Sequence, residues 1–245
     1  MREISRIYDV KDNLSDILQV KNITDTTADI YFYGDIVSSW WGAWDDEDQY
    51  PESVKQILES SRNKNLNIHV NSGGGSVFAG ITIYNMLKNH NGYKTVYIDG
   101  IAASIASVIA LAGDRVIMRT GSSLMIHKPS VCIWGGYNSD ELNKMATDLD
   151  VIQECIMQVY RENLAPGASI EEIEKMVNAE TWLTSDEASK FFNVEIENKV
   201  QAVAYSSEFI DKFIEVPEKV RNTFINIKNE LEMEEEKIKL LEMEI

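Results

Sequence analysis

Apolar positions along the chain switch repeatedly between two spacings. Ile30-Tyr31-Phe32-Tyr33 is a run of strand formers closed by Gly34, and Leu66 to Val70 alternates until a glycine run stops it. Between them, Pro51 to Ser61 places Val54, Ile57 and Leu58 on one side of a predicted helix. Val77 to Asn89 reads as a second helix, with Ile81, Tyr84 and Leu87 on one face and Asn91-Gly92 as its stop. Thr95 to Ile98 predicts a strand, Ser104 to Ala112 an apolar helix ending at Gly113, and Val116-Ile117-Met118 and Leu124-Met125-Ile126 two more strands.

The second half is more helical. Leu142, Met145, Leu149, Ile152, Ile156 and Val159 recur at steps of three and four, which predicts one long helix over Asn138 to Asn163. That stripe must bury a face against the domain or against a second subunit. Helices at Ser169 to Asn178 and Ser185 to Phe192 flank a strand, Thr181-Trp182-Leu183, and Ser169 with Glu172 forms a capping box. From Pro217 onward, Val220, Phe224, Ile227, Leu231, Ile238, Leu241 and Ile245 keep heptad spacing. This is either a short coiled coil or one amphipathic helix packed on the domain.

Alternation of strand and helix implies an α/β fold with a mostly parallel sheet. Chemistry in such sheets collects in loops at the carboxyl ends of strands. Gly73 to Gly75 and Gly100 to Ser104 both fall there. We divide the chain into an N-terminal segment (1–28), an α/β domain (29–205) and a C-terminal helical extension (206–245).

Composition narrows the partners. Forty acidic against 23 basic residues give a net charge of −17, which repels nucleic acid and anionic membranes. The first 13 residues are charged and lack the apolar core of a signal peptide, and Ile101 to Gly113 is too short to span a bilayer. Cys132 and Cys155 have no metal-type spacing and read as free thiols of a cytoplasmic protein. No cofactor and no metal are expected.

Three segments carry candidate chemistry: Asn71-Ser72-Gly73-Gly74-Gly75, Gly100-Ile101-Ala102-Ala103-Ser104, and Met125-Ile126-His127-Lys128-Pro129. A serine hydroxyl needs a base, a group to orient that base, and donors for the developing oxyanion. Ser104 opens an apolar helix, where unpaired N–H groups favour negative charge. The Ile105 amide is one natural oxyanion donor, and Gly75 is a second because glycine lets backbone approach a substrate. On the local pattern alone Ser104 reads as a helix N-cap before it reads as a nucleophile, and His127 either as a fixed base or as a buried structural histidine. His69 reads as structural and His90 as exposed. The glycine run is not a phosphate loop, since no Gly-Lys-Ser/Thr follows.

Taken together, the three segments resemble the Clp protease proteolytic subunit, a self-compartmentalising serine peptidase of the crotonase-like fold. The resemblance spans about Asp29 to Ile196. It implies Ser104 as nucleophile, His127 as base, and the amides of Gly75 and Ile105 as oxyanion hole. In Ala179-Glu180-Thr181-Trp182-Leu183-Thr184, Glu180 falls where the family has an aspartate; it is either the third catalytic group or a surface glutamate capping the strand. Gly73 replaces the family's usual proline, and Ile101 and Lys128 replace glutamines. Gly34-Asp35-Ile36-Val37, Trp40-Trp41-Gly42, Ala102 to Ala112 and Glu180 to Thr184 are similar to the phage and prophage branch, which processes capsid or scaffold proteins during head maturation. A protein substrate, a ring-shaped homo-oligomer and a long helix between facing rings are further implications. The alternatives are a housekeeping subunit fed by an ATP-dependent unfoldase and a catalytically silent capsid-assembly protein. A crotonase-type acyl-CoA enzyme has no need of the Ser104–His127 pair, and a signal peptide peptidase would want a serine–lysine dyad.

Overall fold

The computed structural model of the protein describes residues 20–21, 24–39 and 49–197. The Trp40-Trp41-Gly42 cluster, the C-terminal heptad stripe, the boundary at 205 and most of the N-terminal segment lie outside the described residues. The elements in chain order are β1 (Val20–Lys21), β2 (Thr27–Phe32), α1 (Pro51–Ser60), β3 (Asn65–Ser72), α2 (Val77–Lys88), β4 (Lys94–Ala103) and α3 (Ile105–Ala110). They continue with β5 (Arg115–Arg119), β6 (Ser123–Ile126), α4 (Ser139–Glu162), α5 (Ile170–Asn178), β7 (Thr181–Thr184), α6 (Ser185–Phe191) and β8 (Glu195–Glu197).

Strand–helix alternation produces the expected parallel sheet. β2, β3, β4, β5 and β8 run parallel in that spatial order, and β1 adds antiparallel to β2. One side of each strand is apolar and fully buried: Ile30 and Phe32, Ile68 and Val70, Val96 and Ile98, Val116 and Met118. These residues join α2 and α3 side chains such as Ile83, Leu87, Val108 and Ile109 in one continuous core. The opposite side of the same strands carries polar groups. Asp99 there accepts from Tyr33 at 2.8 Å, lies 2.7 Å from His69 Nδ1 and pairs with Arg119 at 3.1 Å. His69 is therefore structural, stacked between Tyr31 and Tyr97.

β4 is longer than its apolar pattern predicts. The expected strand ended at Ile98, whereas β4 runs on to Ala103 by changing partner. Residues 95–98 pair with β5, and Ile101, Ala102 and Ala103 pair with β6. β6 then pairs antiparallel with β7. The main sheet thus forks at Gly100, and the short β6–β7 ladder leaves from the carboxyl end of β4.

Three further differences have physical causes. α3 begins at Ile105 rather than Ser104, because Ser104 has a backbone no helix allows (φ 55°, ψ −127°). His90 is half-buried rather than exposed, its Nε2 lying 2.7 Å from the Lys64 carbonyl. β8 was missed because Glu195-Ile196-Glu197 is too short and too acidic to carry a strand pattern.

α4 has the predicted extent, with Asn138 and Glu141 closing a capping box at its start. Its apolar stripe is not buried throughout. Ile156 and Val159 of the stripe enter the core, joined by Met157 and Tyr160, while Leu142 stays exposed at 46%. No helix among the described residues is long and apolar enough to cross a membrane. Cys132 and Cys155 are both free and exposed.

Candidate active site

Strand register assembles the site. Parallel pairing of β4 with β6 sets Ala103 opposite Met125. The next residues out of these two strands are Ser104 on one and Ile126-His127 on the other. Antiparallel pairing of β6 with β7 sets Ile126 opposite Thr181, which brings Glu180 beside His127. Residues 104, 127 and 180 therefore meet at one strand end. A slip of one position in either ladder would send these side chains to the wrong face.

Ser104 is held on both sides of its α-carbon. Its N–H donates to the Met125 carbonyl at 2.9 Å, and its own carbonyl accepts from the Ser107 N–H at 3.0 Å. Between these anchors the backbone takes a positive φ of 55°. A non-glycine residue held so is strained by about 1–3 kcal/mol, a cost that persists only where surroundings enforce it. The strain turns the hydroxyl out of the helix. It makes no capping bond to α3, and Oγ lies 2.7 Å from His127 Nε2. Ser104 sits at the N-cap position without acting as a cap.

His127 follows the last residue of β6, and its side chain is 17% exposed. Burial pushes its pKa below the ordinary imidazole value, while the Glu180 carboxylate pulls in the opposite direction and only partly offsets this. The imidazole is accordingly neutral near pH 7 and able to accept a proton. Glu180 Oε2 stands 3.9 Å from Nδ1, an ion-pair separation longer than a hydrogen bond. Glu180 too has a positive φ, 50°, immediately after the C-cap of α5. That left-handed position is usually glycine's, and here it aims a carboxylate at the imidazole.

The glycine run lies against Ser104. A β-carbon on Gly74 would fall 2.8 Å from Ser104 Cβ and 3.2 Å from the Ile105 nitrogen, and one on Gly75 would meet the Ile36 carbonyl at 2.1 Å. Only glycine fits at either place, and both have positive φ. Ile105 is the first residue of α3, so its N–H is among those a helix leaves without an internal acceptor. Ser104, His127, Glu180, Gly75 and Ile105, all named from the sequence, gather at this one place.

Beside them opens a cleft of about 390 Å³, which begins at Gly75 and is walled by Phe78, Val131, Ile133, Leu149 and Ile152. Sequence reasoning named Leu149 and Ile152 only as part of the α4 stripe and missed Phe78, Val131 and Ile133. Their signal was apolar side chains left exposed, Phe78 at 67% among them. A separate hollow of about 430 Å³ near Lys55, Arg62 and His90 contains none of the five candidate site residues.

The family model for Clp protease matches residues 46–193. The chain belongs to the Clp protease family. It is 38% identical over 131 residues to the ATP-dependent Clp protease proteolytic subunit 1 of Chlamydia abortus, covering 50% of this chain and 64% of that protein. Subunit 2 of Thermobifida fusca matches at 33% over 138 residues, 55% of this chain and 66% of the relative. The chain thus spans just under two thirds of these Clp relatives. Among solved structures, a ClpP1 mutant from Listeria monocytogenes superimposes with a TM-score of 0.57 at 26% identity, covering 78% of this chain and 96% of that one. The fold is Clp-protease-like, as the sequence resemblance implied.

Proposed function

We propose that this protein is a serine endopeptidase with Ser104 as nucleophile, His127 as base, Glu180 as the acid that orients the base, and the Gly75 and Ile105 amides as oxyanion hole. The observation that carries the reading is the 2.7 Å approach of Ser104 Oγ to His127 Nε2 from a strained backbone. A serine that merely caps a helix needs no strain and no histidine.

Chemistry follows from the placement. Ser104 Oγ attacks the carbonyl carbon of a peptide bond as its proton passes to His127 Nε2. The carbonyl oxygen becomes an oxyanion that the two amides can meet. Collapse expels the amine, which takes the proton from the imidazolium and leaves an acyl ester on Ser104. Water, deprotonated by His127, then hydrolyses that ester. The Glu180 carboxylate favours the imidazolium that forms in each half. Apolar walls in the adjoining cleft suit apolar substrate side chains.

Intact mass after treatment with a fluorophosphonate, beside Ser104→Ala, tests the assignment. One adduct on the parent and none on the variant is the expected result. No adduct on either would leave a silent assembly protein as the reading.

For the biological role we favour a maturation protease acting on capsid or scaffold proteins in the cytoplasm of an infected cell. Its support is the resemblance in Gly34-Asp35-Ile36-Val37 and Glu180 to Thr184. The ATP-dependent subunits among its relatives support a second reading, a peptidase fed by an unfoldase. Cleavage of a folded protein only with a partner ATPase and ATP would select the second. In both readings the exposed stripe of α4 supports a ring-shaped homo-oligomer.

A further inference from the structure

Ser107 lies on the first turn of α3, fully buried, one turn past the nucleophile. Its hydroxyl makes two short contacts: 2.6 Å to the carbonyl oxygen of Ser104, and 2.7 Å to the hydroxyl of Tyr160. Tyr160 belongs to the last turn of α4 and is 1% exposed, edge-on to Phe192. The direction of the chain is fixed by its end. A carbonyl can only accept, so Ser107 donates to Ser104, and its remaining lone pairs receive the proton of Tyr160.

Resting on the reading of Ser104 as nucleophile, we propose that Ser107 and Tyr160 are positioning residues, a hydrogen-bonded relay that ties the long helix to the strained peptide of Ser104. Three facts carry this. The Ser104 carbonyl is part of the peptide that follows its positive-φ backbone, so a second donor on that oxygen helps to hold ψ at −127°. Two buried hydroxyls in an apolar core are costly unless each is satisfied by the other. The Tyr160 ring also reaches from α4, whose first turns carry the exposed apolar stripe, so one rigid helix connects that surface to the nucleophile. A serine that bonds the carbonyl three residues back is common at helix starts; here a second helix holds that serine.

The test compares Ser107→Ala, Tyr160→Phe and the double variant in the full chain. Acylation of Ser104 by a fluorophosphonate is timed, kcat and KM are measured on one peptide, and amide hydrogen exchange is followed over residues 104–107. Loss of one neutral buried hydrogen bond to the reacting group's peptide corresponds to ~10-fold in rate. The expected result is acylation and kcat down by about that factor in Ser107→Ala and by ~3-fold in Tyr160→Phe, with KM unchanged. The double variant should be no worse than Ser107→Ala, because a relay broken at its second link gains nothing from its first. Exchange over 104–107 should quicken in all three.

Parent-like acylation and exchange in both single variants, with only the melting temperature lowered, would overturn the relay and leave two buried hydroxyls that serve packing. Additive losses would overturn it as well. If the parent itself takes no probe, the nucleophile assignment fails, and exchange alone then decides whether Tyr160 holds the 104–107 segment.

Discussion

Glu180 stands 3.9 Å from His127 Nδ1, while the other ring nitrogen is 2.7 Å from Ser104 Oγ. Glu180 therefore acts on the imidazole as a nearby charge, and its removal should be read in a pH profile. His127 must be neutral to accept a proton, so activity rises with pH through its pKa. Burial already holds that pKa below 6.5, with Glu180 opposing. Glu180→Gln removes the opposition. The acid limb of kcat/KM should move to lower pH, and kcat should fall by about 10-fold to 100-fold, since the imidazolium loses a stabilising charge. An acid limb that stays in place would show that Glu180 does not face the base.

The same shift has a sign for stability. An unfolded imidazole binds its proton near 6.5, and the folded one holds out to lower pH. Between those two values the unfolded chain carries more protons, so this group's contribution to stability falls as pH falls through that window. His127→Ala should flatten that part of a plot of denaturation midpoint against pH.

Gly74→Ala should damage the site more than the fold. Its β-carbon would fall 2.7 Å from the Ala103 carbonyl oxygen and 2.8 Å from Ser104 Cβ, at a φ of 97°. We expect a destabilisation of about 1–3 kcal/mol in urea and near-complete loss of fluorophosphonate labelling.

Asp99→Ala tests the polar face of the sheet. Asp99 is 1% exposed and faces His69, Tyr33 and Arg119 together. Removing it leaves the Arg119 guanidinium, itself 14% exposed, with only the longer 3.9 Å pair to Glu197, and leaves the Tyr33 hydroxyl without its acceptor, at an expected cost of about 1–3 kcal/mol by chemical denaturation.

Leu142→Glu puts a charge in the exposed stripe of α4. The monomer does not bury this residue, so its melting temperature should hold. Sedimentation velocity should show assembly lost if the stripe is the contact between copies.

Local chemistry was legible where it was self-contained. The capping box of Ser169 and Glu172, the glycine stops and the long stripe of α4 each specify an element from within a few residues. The three catalytic candidates were legible because each borders a strand, Ser104 and His127 just after one and Glu180 just before one. What the sequence hid was non-local. Nothing in Gly100 to Ala103 says that β4 leaves β5 for β6, since pairing partners are chosen by register across more than twenty residues. Nor could the stripe of α4 tell which of its apolar residues the domain covers: Ile156 is buried and Leu142 is not. Ser107 looked like one more small residue in an apolar helix until Tyr160 was placed against it.

The fork in β4 has a consequence for the life of the chain. Ser104 hangs from the branch with β6, at the end of a strand whose earlier residues are seated between β3 and β5. The serine, the histidine and the carboxylate come from three segments that meet only where β6 pairs with both β4 and β7. A chain still emerging from the ribosome, or one partly melted, holds these groups apart and has nothing with which to cut its neighbours. The pairing of β6 is itself the safety catch.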